Sequence, residues 1–99
     1  DDPAGPANVG GQHEDLVSWA DGVRGEARAK LGLASYLNLA QCELKRERFL
    51  SAIFHASAAL KLEATSSKAF YRRGLAAMGA GLLDQARSDL LEAARHEPQ

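Results

Sequence analysis

Apolar residues recur along this chain at the spacing of a helix face. From about Glu26 to Arg46, Leu31, Ala34, Leu37, Leu39, Ala40 and Leu44 make such a stripe, and KRER then forms a charged turn. The next helix is expected from about Phe49 to Glu63, with Ala52, Ile53, Ala56, Ala59, Leu60 and Leu62 inward. Thr65, Ser66 and Ser67 offer N-cap oxygens for a third, from Lys68 to about Ala80, which Gly79 and Gly81 close. A last helix runs from about Leu83 to His96, buries Ala86, Leu90 and Ala93, and stops at Pro98. Upstream, Leu16, Val17, Trp19 and Ala20 make a short apolar face that Gly22 and Gly25 interrupt, and residues 1–12 are too polar to repay ordering and read as a flexible linker. No segment alternates as a strand does, so the class is all-α.

The chain also aligns with itself at a shift of 34 residues: Tyr36 falls on Phe70, Asn38 on Arg72, Ala40 on Gly74, Ala52 on Ala86 and Ala59 on Ala93. Such a period marks stacked helix-turn-helix repeats, which build a right-handed α-α superhelix of antiparallel helix pairs. The small residues at those positions let paired helices approach closely, and Tyr36, Phe49 and Phe70 fill the gaps between them. Residues 13–25 read as the tail of a first repeat, 26–66 as a second repeat with an extended first helix, and 67–99 as a third.

Equal phase turns polar residues into neighbours. Lys68 and Arg72, four apart, project from one helix face over the groove that Asn38 reaches from the helix alongside. Two cations and an amide form a site for a carboxylate, since Arg presents a planar fork of donors, Lys a mobile point charge, and Asn an N–H donor. Gln41, Leu44, Tyr71, Leu75 and Met78 are expected as groove neighbours. Taken by spacing alone, the same cationic pair fits the solvated edge of a helix. Arg73 is read as snorkelling past the repeat interface, and Arg46, Arg48, Asp84, Arg87 and Asp89 as solvated charges.

Composition narrows the chemistry. The 99 residues are 45% hydrophobic and 25% charged, with a net charge of −1 and a pI near 6.3, so there is no general attraction to nucleic acid or anionic lipid. The single Cys42 excludes an internal disulfide and reads as a small buried filler. His13, His55 and His96 lie far apart, so no metal site is expected, and no nucleophile, base and orienting partner come together for catalysis. No cofactor is expected. No apolar run nears the ~20 residues needed to cross a bilayer, and a cytoplasmic location is expected.

Two segments carry a resemblance to a known family. SYLNLAQCELKRERFLSAIFHASAALKLEA and SKAFYRRGLAAMGAGLLDQARSDLLEAARHEPQ resemble the second and third tetratricopeptide repeats of the large peptidyl-prolyl isomerase co-chaperones, the TPR immunophilins. Gly74, Ala86, Ala93 and Pro98 stand in consensus places, and LVSW at 16–19 resembles the end of their first repeat. The resemblance implies a non-enzymatic protein-interaction module, any isomerase activity lying in a separate domain. It also implies a two-carboxylate clamp for the acidic Glu-Glu-Val-Asp tail of cytosolic heat-shock chaperones, onto which Asn38, Lys68 and Arg72 map, with Lys45 at a position that assists. The clamp's first-repeat Lys and Asn have no counterpart in residues 1–30, and the helix that follows the family's third repeat is absent, as in a fragment of a longer protein. Ala64, Arg73 and Glu43 replace a consensus Pro, Leu and aromatic. A scaffold segment that packs against other protein subunits without recognising a carboxylate remains the alternative.

Overall fold

The computed structural model describes residues 10–97, with side chains from Gly22 onward. Four helices account for nearly all of it: α1 (Gly10–Lys45), α2 (Phe49–Leu62), α3 (Ser67–Gly79) and α4 (Leu83–His96). No strand occurs among the described residues, and the chain is an all-α helical repeat. It divides into two compact units, Asp1–Lys30 and Leu31–Gln99. The three later helices match their expected spans to within a residue at each end, allowing the usual fraying of boundaries.

α1 departs from expectation. It is one helix through Gly22 and Gly25, beside which a Cβ would meet nothing within 4 Å. Each glycine costs about 1 kcal/mol relative to alanine, too little to break a segment whose other residues are mostly good helix formers. Residues 10–12, expected in the linker, begin this helix, and the expected break at 25/26 lies inside it. The rest of the linker, Pro98, and the side chains of His13, Leu16, Val17 and Trp19 lie outside the described residues.

In the second unit, α2, α3 and the C-terminal part of α1 pack through alanine. Ala40, Ala52, Ala56, Ala59, Ala69, Ala76 and Ala77 are fully buried, and Ala86 and Ala93 nearly so. Methyl-sized side chains bring backbones together. A Cβ on Gly74 would lie 2.9 Å from Leu90 Cγ, and one on Gly79 would run into the Phe49 ring. Larger rings close the flanks: Tyr36 stacks on His55 at 6.0 Å and Phe70 on His96 at 5.8 Å.

The two turns that close the first helix of each pair are copies of one another. Arg48 N–H donates to Glu43 O and Glu47 N–H to Leu44 O; 34 residues later Leu82 N–H donates to Ala77 O and Gly81 N–H to Met78 O. This is the Schellman pattern, which needs one residue in the left-handed region. Gly81 fills it with φ +80°, while Glu47 is forced into it at φ +59°.

Candidate functional site

α3 carries the two cations, and its first turn is held at both sides. The N-cap Ser66, buried, accepts a hydrogen bond from Ala69 N–H at 3.2 Å, while Ser67 Oγ donates to Ala93 O at 2.8 Å. Lys68 therefore leaves a fixed turn, and its side chain is exposed. Arg72, one turn on, is half-buried and its Nη1 donates to the backbone oxygen of Leu37 on α1 at 3.1 Å. A helical carbonyl has a second lone pair for such a bond. The α3 cation is thus brought to the turn of α1 that bears Asn38, which is exposed.

Lys45, also exposed, is two turns beyond Asn38 on α1. Neither Lys45 nor Lys68 enters an ion pair among the described residues. Gln41, Leu44 and Leu75 are half-buried. Tyr71 and Met78 are exposed and face hollows along α3 and α4. Tyr71 shares one of about 360 Å³ with Lys68, Leu90 and Ala94; Met78 shares one of about 400 Å³ with Leu83, Leu90 and Leu91.

Two sequence readings need correction. Cys42 is exposed, not a buried filler, because it stands four residues after Asn38 and shares its open face. Asp89 is not solvated: it is 1% exposed and takes a bidentate pair from Arg73, Nε to Oδ2 at 2.9 Å and Nη2 to Oδ1 at 2.8 Å. Gln85 Nε2 donates to Oδ2 at 2.9 Å, and Arg73 Nη1 donates to Ser57 Oγ at 3.2 Å. Arg73, instead of snorkelling outward, joins α2, α3 and α4 from the side of α3 away from Leu37, with Phe70 beneath its guanidinium at 5.7 Å. The signal lay in the sequence: a cation where the repeat consensus has leucine requires a buried anion. Glu43, at a consensus aromatic position, likewise has a partner in His55, whose Nδ1 lies 2.7 Å from its Oε1.

No three His, Cys, Asp or Glu side chains converge as metal ligands among the described residues. No described helix is long and apolar enough to cross a membrane. What the arrangement offers is a cationic, hydrogen-bonding edge between two helices.

Comparison with known proteins agrees with the repeat pattern. Mouse peptidyl-prolyl cis-trans isomerase FKBP4 is 39% identical over 84 residues, 79% of this chain, and the human protein 34% over the same length. The chain belongs to the TPR domains of the TPR immunophilins. Arabidopsis FKBP42 is 38% identical over 63 residues, 64% of the chain, and the Xenopus unc-45 homolog B 37% over 70 residues, 71% of it. The chain spans only 18% of FKBP4 and 17% of FKBP42. The FKBP4 match takes in the C-terminal part of that protein, so this TPR segment is not the isomerase domain. No protein-family model matches the chain, and no solved structure does.

Proposed function

We propose that this TPR segment is the protein-interaction module of a co-chaperone, which takes an acidic C-terminal tail of the Glu-Glu-Val-Asp type from a cytosolic heat-shock chaperone. The observation that carries the reading is the Arg72 guanidinium on the Leu37 carbonyl, which fixes a cation at the turn of Asn38 with exposed Lys68 one turn before it on α3. Arg72 spends one of five N–H donors on Leu37 and presents its fork to a carboxylate, while Lys68 supplies charge and Asn38 a donor for a second carboxyl or a peptide carbonyl. Lys45 extends the cationic edge along α1.

A clamp with three of its five elements binds weakly, and its exposed charges are screened beyond roughly 8 Å at physiological salt. Titration of an acidic C-terminal peptide into the labelled chain is expected to shift amides around Asn38, Lys68 and Arg72, with affinity falling as salt rises. Lys68→Ala should weaken binding with no loss of stability, because Lys68 is exposed. Arg72→Lys, which keeps the charge and removes the fork, separates bidentate recognition from attraction alone. Unchanged affinity in Lys68→Ala and Arg72→Lys together, or shifts centred elsewhere, would refute the reading.

A further inference from the structure

α2 is the anomaly of this surface. Its sequence, FLSAIFHASAALKL, holds one charged residue, Lys61, whereas α4 at the same phase holds Asp84, Arg87, Asp89, Glu92 and Arg95. The difference concentrates on one stripe. Leu50, Phe54 and Ala58 follow each other at intervals of four, and the residues 34 further on are Asp84, Ser88 and Glu92. Leu50 is 72% exposed and Phe54 68%. The fold does not require apolar side chains there, since the equivalent stripe of α4 is polar. The Phe54 ring is also held in place: it stands edge-on to His55 at 5.2 Å, and His55 is fixed in turn by Glu43 and the Tyr36 stack.

We infer that this stripe pairs with the same stripe of a second copy of the chain, in an antiparallel α2–α2 contact about a two-fold axis at Phe54. In that register each residue faces the one equally far on the other side of Phe54. Phe54 meets the partner's Phe54, and Leu50 meets the partner's Ala58, so large faces small at both outer positions and the helices can close. Ser51 and Ser57 oppose each other and add no bulk. Lys61, seven residues after Phe54, comes level with the partner's Glu47, seven before it. Both are exposed, and symmetry makes the pair twice. Antiparallel helix dipoles favour the same orientation. A different protein would have no reason to match this self-complementary order of charge and volume. A lipid surface would gain from Leu50 and Phe54 but not from Glu47.

One helix-on-helix contact buries less than the ~1,200 Å² of a standard interface, so the dimer is a weak one that concentration reveals. Sedimentation equilibrium of the chain from about 10 µM to about 1 mM is expected to show reversible dimerisation. Phe54→Ser, which copies Ser88, should weaken it at least about tenfold without altering the circular dichroism. Glu47→Lys and Lys61→Glu should each weaken it by placing like charges across the axis, and the double reversal should restore it. A chain that stays monomeric throughout overturns the inference, as does dimerisation unchanged by Phe54→Ser or a double reversal no better than its singles. Phe54-dependent binding to phosphatidylserine vesicles by a chain that remains monomeric would assign the stripe to a membrane instead.

Discussion

Gly74 is where the repeat geometry is most exposed to test. Leucine is the better helix former by nearly 1 kcal/mol, so propensity alone makes Gly74→Leu stabilising. Packing opposes it. The first atom added, Cβ, would stand 2.9 Å from both Cγ and Cδ2 of Leu90 and 3.3 Å from Cβ of Asp89. Leu90 has some room to turn, but Asp89 is held by Arg73 and Gln85 through three hydrogen bonds of 2.8 to 2.9 Å, so α4 cannot rotate away cheaply. Overpacking of this kind costs roughly 1–3 kcal/mol for a few methylene groups and more where the neighbour is fixed. Against the propensity gain, a net loss of about 1–2 kcal/mol is expected, a fall of roughly 5–15 °C in Tm for a domain of this size.

Thermal melting followed by circular dichroism measures it. Gly22→Ala and Gly25→Ala, where a Cβ meets nothing, are the controls and should raise helicity. Gly74→Ala combined with Leu90→Ala adds a sharper check, because removing Leu90 Cγ and Cδ2 clears the space the new methyl needs; the double-mutant cycle should show favourable coupling. A stabilising Gly74→Leu would mean that α3 and α4 do not touch there, and the alignment at 34 residues would lose its structural basis.

Two further substitutions probe other parts of the fold. Arg73→Leu restores the repeat consensus but leaves Asp89 buried and unpaired, with an expected cost of about 3–5 kcal/mol in urea unfolding; adding Asp89→Ala should recover most of that loss, and full stability in the single variant would show that Asp89 is solvated. Glu47→Gly should raise stability by about 1 kcal/mol and Gly81→Ala lower it by a similar amount, since both positions sit in the left-handed region; dilute samples isolate this effect from any contribution of Glu47 to self-association, and equal signs in the two variants would refute the shared turn geometry.

Much of this architecture is written in the spacing of alanine. Ala52, Ala56 and Ala59 recur at three and four residues, and a face that small in a helix has one common use, which is close approach of another helix. The same regularity placed α2, α3 and α4 nearly to the residue. Where glycine enters, local signals lose their force. Gly22 and Gly25 suggest a break, yet a penalty of about 1 kcal/mol each is a weak prior against the formers around them. Cys42 was legible and is misread only if its apolar company is weighed above its phase, because four residues from Asn38 is the same face.

Asp89 marks the limit of what a single helix reveals. Its immediate neighbours, Ser88 and Leu90, give a position that is as consistent with solvent as with a buried face, and its partner lies 16 residues away on another helix. What decides the matter is Arg73, an apolar place taken by a cation. Such a charge is stable inside only if an anion of matching shape faces it, and the fork of Arg73 closed on both oxygens of Asp89 meets that condition. Arg72, next in the chain, points to the opposite helix and keeps its remaining donors for the groove. The two adjacent arginines thus divide the work: one ties α3 into the stack through Asp89 and Ser57, and the stack so fixed holds the other where an acidic tail would meet it. Loosening the Arg73 network should therefore weaken peptide binding even though none of its atoms faces the groove.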